Sequence, residues 1–490
     1  MSIKLILKES SKIFRSNEQY EVSISLNTNA SLIEKPWLQD SINFSTECLS
    51  IYKACSEQHP IVISGLPIDL TISLCLSAWF LGRAVAFVDP DLTKNQQLSL
   101  IKKLQPSYWI SSSPLEAPLD IDTIFLNLNS EVGEEEFSQA LSYDEYDNNI
   151  TSYQWSPTET AIILFTSGST GSPKGVCHSL QNLIFSAQLF QEHFKVTAED
   201  NILNFAPLHT MSGLRCSLFL PLTTYCETQR EPIHSDLNTV IKAIEGYPCS
   251  IMIVGPKLLE TLLPISSRVS SLKLIRMVLS TGATLSTKTR ELLWDKHRIP
   301  IYNYYGLTET CGLVIAEDMN KYNPLTSSIG FPCKHIKITV FDENKQEEQE
   351  EGKGLLRIYS PANYLGYLGN VIAKKDYFDT GDIATIKSTK EVTLHGRLDK
   401  SIKSTTTLWL RPQAIEVWLK NNCHITDYAI KTEDNNISCY LVTKDSYFNT
   451  LIEKLITDLG SAYREVKWQK VEKIQRTNLS KINWNLLEKQ

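Results

Sequence analysis

Short apolar runs that alternate with helical stretches constrain the fold of this chain more than any other feature of it. HPIVISG reads as a strand, 70–81 as a helix, RAVAFVD as a strand, NQQLSLIKKLQ as a helix, and YWISS as a strand again. The alternation resumes at AIILFTSG and passes through a helix at LQNLIFSAQLFQEHF. It then returns to strand at NILNFAP, SIMIVGP, IRMVLSTG and IPIYNYYG, each ending in Gly or Pro. Such a pattern predicts a layered α/β domain, and in open α/β sheets ligands sit beyond the carboxyl ends of the strands. Polar loops at several of these ends predict one shared cleft.

The pattern changes twice. Over 330–395, HIKITVFDE, GLLRIYS and EVTLHG are β-rich with turns between them and predict a small, mostly β subdomain. After Asp399, helical QAIEVWLKN and FNTLIEKLITDLGSAY join strand-like CHITDYAIKTED and NISCYLVTK, which predicts a small α+β domain. The expected organisation is a large domain over 1–398, with 330–395 as its β-rich part, and a small domain over 399–490. A chain of 490 residues is long enough for both.

Charge and cysteine usage narrow the partners. Lys and Arg number 48 against 55 Asp and Glu, a formal charge of -7, and no basic block stands out. Nucleic acid is therefore not an expected partner. The 11 cysteines show no CxxC or Cys/His ligand spacing, and the opening MSIKLILKESSKIF has no long apolar core. Reduced thiols and a cytoplasmic location are the expectation. The longest apolar stretch, LTISLCLSAWFLG at 70–82, is too short to span a bilayer, so no integral membrane segment is expected.

The densest chemistry lies in LFTSGSTGSPKGVC, residues 164–177. A buried strand runs into hydroxyls (Thr166, Ser167, Ser169, Thr170), glycines (Gly168, Gly171, Gly175) and one cation, Lys174. Glycines bring backbone N–H groups close to a polyphosphate, and Lys174 adds a mobile charge. The spacing is not that of P-loop NTPases, because Lys174 follows Pro173 and precedes Gly175. The loop is expected to join a strand to a helix.

Four further clusters carry candidate residues. In IYNYYGLTETCG, 301–312, Tyr305 beside Gly306 offers a flat surface for a base and Asn303 a donor and an acceptor for a ring edge. Thr308 can bond a phosphate, and Glu309 is a plausible Mg²⁺ ligand because hard cations prefer carboxylate oxygen. A bare surface turn is the alternative for each taken alone. In YFDTGDIA, Asp382 in a tight turn can hold both hydroxyls of a ribose, and Asp379 reads better as a turn cap. In LHGRLDKSIK, Arg397 reaches a ribose or phosphate, and Asp399 marks a composition change. Lys481 stands in a polar turn near the end of the chain.

Together these stretches resemble the acyl-adenylate-forming superfamily of acyl- and aryl-CoA synthetases, luciferases and adenylation domains. TSGSTGSPKG resembles its phosphate loop, and STGATL, with Gly282 and Ala283, the loop along the adenine. YYGLTE resembles the adenine-stacking and Mg²⁺ motif, YFDTGD the ribose motif, GRLDKSIK the ribose arginine and hinge, and RTNLSKI the motif of the catalytic lysine. The resemblance implies an adenylate-forming domain, a mobile small domain turning at Asp399, and catalysis by Lys481, Thr170, Lys174 and Glu309. It implies ATP and Mg²⁺, a small-molecule carboxylic acid as substrate, and CoA as acceptor. Length and PLHTMSG are closest to the o-succinylbenzoate–CoA ligase branch or a small aryl- or acyl-CoA synthetase.

Three positions depart from the family pattern. Ser480 replaces the glycine before the terminal lysine, and STTTLW, 404–409, replaces a glycine-rich turn. Thr210 stands where many members carry histidine, with His209 one position earlier. GLRCSLFLPL and IVGPKLLETLL are the expected acid-pocket walls. Within them Arg215 reads either as the partner of a second carboxylate or as a solvent-facing side chain. Two other readings stay open: an enzyme loading a carrier-protein phosphopantetheine, on an acyl or aryl carrier protein, and a nucleotide-binding relative without turnover.

Overall fold

Apolar runs buried on both faces build two large sheets in the computed structural model. It describes residues 2–7, 22–27, 59–112, 124–127, 152–166, 173–230, 237–283, 285–342, 345–369, 376–398, 402–403, 409–410, 412–422, 424–433, 436–475 and 484–488. Among them, the first sheet runs Gly366–Tyr367, Lys174–His178, Ile162–Thr166, Val85–Phe87, Ile61–Ser64, Tyr108–Ser111 and Ile124–Asn127. The second runs Glu227–Arg230, Asn201–Asn204, Ile251–Ile253, Met277–Ser280, Ile301–Leu307, Gly312–Ala316 and Phe331–Pro332. Their central strands pair in parallel. Ile61–Ser64 and Met277–Ser280 are buried along their whole length, as strands covered on both faces must be.

The helices between these strands supply the cover. Ile68–Phe80 is buried from Thr71 to Phe80, so it is packed inside on every face, with the Thr71, Ser73 and Ser77 hydroxyls donating to carbonyls four residues back. Two indoles pin it: Trp79 Nε1 donates to the Ala161 carbonyl at 3.1 Å, and Trp155 Nε1 to the Trp79 carbonyl at 2.9 Å. Leu180–Phe194 begins where the Ser179 hydroxyl caps the Asn182 N–H, and ends at Lys195 in the left-handed region. No helix among the described residues is long and apolar enough to cross a membrane.

A third sheet is antiparallel and five-stranded, in the order Glu347–Gln349, Lys337–Asp342, Gly352–Tyr359, Phe378–Ile386, Val392–Arg397. One continuous apolar cluster joins all three sheets, from Ile61 and Ile162 through Ile251 and Met277 to Val340, Leu356 and Ile386. A separate cluster is drawn wholly from residues 410–466, including Leu410, Ile415, Leu441, Leu455 and Val466. The Asn421 Oδ1 atom touches the rest of the chain, accepting from Ser286 Oγ at 3.2 Å and Thr287 Oγ1 at 3.3 Å.

One local expectation is corrected. The Gly/Ser/Thr loop does not lead into a helix. It closes a hairpin, because Lys174–His178 returns antiparallel to Ile162–Thr166 with Lys174 opposite Thr166. Val176 and Cys177 are buried, and the outer edge of this short strand is covered by Gly366–Tyr367. The helix starts only at Leu180.

Candidate active site

Three segments distant in sequence meet at Asp382. Tyr305 lies on Ile301–Leu307 of the second sheet, while Asp382 and Arg397 lie opposite one another on adjacent strands of the third. The Tyr305 hydroxyl donates to Asp382 Oδ2 at 2.5 Å, and Arg397 Nη1 stands 3.7 Å from Asp382 Oδ1. Burial, then the carboxylate beside it, pushes the Tyr305 phenol well above its ordinary value, so it is the donor. Asp382 is buried and sits within a strand rather than in the expected tight turn. Asp379 is no turn cap either. It lies on the same strand and forms an ion pair with Arg357 at 2.9 Å.

A second group forms around Glu309, in the turn Thr308–Thr310. Glu309 Oε1 accepts from the Tyr367 hydroxyl at 3.0 Å, and Lys174 Nζ lies 5.4 Å from the centre of the Tyr367 ring. The Thr308 carbonyl accepts from His178 Nε2 at 2.8 Å. Asn182 Nδ2 reaches His178 Nδ1 at 3.4 Å and donates to the Asn363 carbonyl at 3.0 Å. Burial lowers the His178 imidazole to about 4, so it is neutral, with Nε2–H as the donor. The strand that carries Lys174 is thereby tied to the turn that carries Glu309.

The residues expected along an adenine lie beside the first group. Ser280 is opposite Asn303 across parallel strands, and Thr281 Oγ1 donates to the Tyr304 carbonyl at 2.9 Å. Gly282 and Ala283 follow directly and are exposed. The Asn303 N–H donates to Glu317 Oε1 at 3.0 Å, and Glu317 forms a buried ion pair with Arg290 at 2.6 Å. A side chain at Gly306 is excluded, because an added Cβ would fall 1.5 Å from the Gly312 carbonyl oxygen. Thr166 lies at the end of its strand and is partly buried. Ser167, Gly168, Ser169, Thr170, Gly171, Asp399, 404–408 and Lys481 lie outside the described residues.

Arg215 does not face solvent; it is fully buried. The helix from Met211 to Thr224 carries a π-helical turn at Arg215–Phe219, a feature often found at functional sites. The guanidinium packs on the Phe190 ring at 4.6 Å, and its Nη2 donates to the Tyr304 hydroxyl at 3.0 Å. Among the described residues its Nε and Nη1 meet no oxygen or nitrogen acceptor. Gly312, at φ +89°, makes room, since an added Cβ would lie 2.1 Å from Nη1. The titratable neighbours are Cys216, Cys311 and Tyr304, and burial pushes both Cys311 and Tyr304 up to about 12. All are neutral near pH 7, so among the described residues this buried cation has no counter-charge. Thr210 is used as a helix cap, its hydroxyl accepting from the Gly213 N–H at 3.1 Å. His209 Nε2 lies 3.8 Å from Asp89 Oδ2.

Sequence reasoning missed Tyr367, His178 and the Arg290–Glu317 pair. His178 had a signal: it stands four residues after Lys174 on one strand and so shares its face. Tyr367 and Arg290 had none, because their partners are remote in sequence.

Comparison with known proteins follows the same lines. The family described as AMP-binding enzyme matches residues 48–368. A 2-succinylbenzoate–CoA ligase of Enterococcus faecalis is 28% identical over 339 residues, which span 67% of this chain and 66% of that protein. One from Staphylococcus epidermidis is 23% identical over 422 residues, 84% of each chain. An o-succinylbenzoate coenzyme A synthetase of Bacillus subtilis, solved with ATP and a magnesium ion, superposes with a TM-score of 0.73. It shares 18% identity over 91% of this chain and 93% of its own.

Proposed function

We propose, from the premise that this chain belongs to the AMP-binding enzyme family, that it is an ATP-dependent acid–thiol ligase of the AMP-forming type. The substrate carboxylate attacks the α-phosphorus of ATP, giving acyl-AMP and pyrophosphate. A thiol, CoA in this reading, then attacks the acyl carbon and AMP leaves. The observation that supports the reading is the convergence of Tyr305 and Arg397 on the buried Asp382, the carboxylate we assign to a ribose diol. Asn303 and Tyr305 meet the adenine, Thr308 and the hairpin loop with Thr170 and Lys174 meet the phosphates, and Lys481 meets the reacting carboxylate.

Both partners of the first step are anionic, so positioning and charge supply most of the rate. Bound Mg²⁺ would supply positive charge that offsets the phosphates, with Glu309 as the residue that would hold it. The donor set fits that ion, because Glu309 offers a hard carboxylate. Mg²⁺ takes one or two carboxylates and completes its shell with phosphate and water. Asp382→Ala is expected to weaken ATP binding by about 1.5–3 kcal/mol, since the diol loses a charged acceptor. Calorimetry with equal affinity in both proteins would remove Asp382 from the ribose.

For the acid we infer a dianion such as 2-succinylbenzoate, the substrate named for the two bacterial relatives. The support is Arg215, since leaving a buried guanidinium without a counter-charge is costly and a second carboxylate would supply one. Arg215→Met should lower kcat/KM for the dicarboxylic acid about a hundredfold or more and spare a monocarboxylic analogue. It should also raise the melting temperature of the ligand-free protein, because a buried unpaired charge is removed. Pyrophosphate exchange over a panel of aliphatic, aromatic and dicarboxylic acids tests the whole reading. No exchange with any acid favours the non-turnover relative. Acyl-AMP that persists with CoA, and is discharged only by a carrier protein, replaces CoA as acceptor.

A further inference from the structure

The segment Tyr364–Leu368 is hydrogen-bonded to both halves of the phosphate-side group. The Leu365 N–H donates to the Cys177 carbonyl at 2.9 Å, and the Leu368 N–H to the Gly175 carbonyl at 2.7 Å. Both acceptors lie on the strand that begins at Lys174. Facing the other way, the Tyr364 N–H donates to the Glu309 carbonyl at 2.7 Å. The Tyr364 ring stacks edge-on against Tyr367 at 5.0 Å and against Phe378 at 5.4 Å, on the strand that carries Asp382. Tyr367 therefore sits in a frame fixed by backbone bonds and rings on three sides.

Within that frame its two ends do different things. The hydroxyl donates to Glu309 Oε1 at 3.0 Å, while the ring face lies 5.4 Å from Lys174 Nζ. A carboxylate that binds a metal needs a fixed orientation, and hydrogen bonds from outside the metal shell supply it. A cation held over a ring keeps its charge while losing freedom of position.

We propose that Tyr367 is a positioning residue for Mg·ATP. Its hydroxyl fixes the Glu309 carboxylate through Oε1, so that the group that would hold the metal keeps one orientation. Its ring fixes Lys174, and the rigid side chain between them sets the spacing of acid and cation. The proposal rests on the adenylation reading, and the two fail differently.

The test is calorimetric ATP binding over a series of Mg²⁺ concentrations. Tyr367→Phe keeps the ring and removes the hydroxyl. It should raise the Mg²⁺ concentration for half-maximal enhancement of ATP binding by about tenfold to a hundredfold, the range of one hydrogen bond to a charged group. ATP affinity without Mg²⁺ should stay within about twofold, because the ring remains beside Lys174. Tyr367→Leu should weaken ATP binding without Mg²⁺ as well. In a Glu309→Gln background the hydroxyl should no longer matter, so the Tyr-to-Phe difference should vanish. A wild-type protein that binds no ATP overturns the adenylation reading and this proposal with it. Mg²⁺-dependent ATP binding that is unchanged in Tyr367→Phe overturns the proposal alone. So does a shift that persists without the Glu309 carboxylate.

Discussion

Replacing Lys481 by alanine should cut acid-dependent pyrophosphate exchange about a hundredfold or more, the scale of losing one oriented charge at a transition state. The expectation follows from RTNLSKI and from the chemistry proposed above. A carboxylate that attacks a phosphoryl group brings negative charge onto negative charge, and a cation at the point of attack offsets it as the bond forms. Conversion of separately supplied acyl-AMP to thioester should be nearly unaffected, because that step has a neutral electrophile and AMP as leaving group. Exchange at the wild-type rate would make Lys481 an ordinary solvated lysine. Equal losses in both half-reactions would point to misfolding of the carboxy-terminal unit, which circular dichroism would register.

The second large effect is on stability. Arg290→Leu should destabilise the fold by about 3–5 kcal/mol, the range for breaking one side of a buried ion pair. Arg290 and Glu317 are both buried, and Arg290 also donates to the Asn323 carbonyl at 3.1 Å and the Thr326 carbonyl at 3.3 Å. Removing the guanidinium strands three acceptors at once. Burial already raises the Glu317 carboxyl, and without Arg290 it would take up a proton. A protonated Glu317 is a poorer acceptor for the Asn303 N–H, so ATP should also bind more weakly. The double variant Arg290→Leu, Glu317→Leu should recover part of the stability. Denaturant unfolding that shows a loss below about 1 kcal/mol would mean the pair is balanced by its own desolvation.

Local pattern revealed the scaffold well and the site unevenly. Strands such as Ile61–Ser64 are buried on both faces, so they stand out as unbroken apolar runs, and Leu180–Phe194 carries its cap and its apolar face in its own residues. Lys174–His178 was misjudged because it opens with Lys and Gly, and its edge is covered by a strand nearly two hundred residues later. Asp379 and Asp382 stand three apart in one stretch, and sequence could rank them but not see Arg357 beside the first or Tyr305 beside the second. Arg215 posed the same problem: its stretch is apolar, yet only the π-helical turn and the gap at Gly312 decide that it points inward.

The separate apolar cluster of residues 410–466 bears on how the molecule opens. Its strands and helices share an apolar cluster distinct from the one that joins the three larger sheets, so they can lose their order while that larger cluster stays packed. Amide hydrogen exchange should then report two opening free energies, a lower one for Asn436–Thr443 and a higher one for Ile162–Thr166. Sub-global opening of that kind would leave Tyr305 and Asp382, whose contact lies outside that cluster, in place. The proposed ribose carboxylate would thus belong to the part of the fold that opens last.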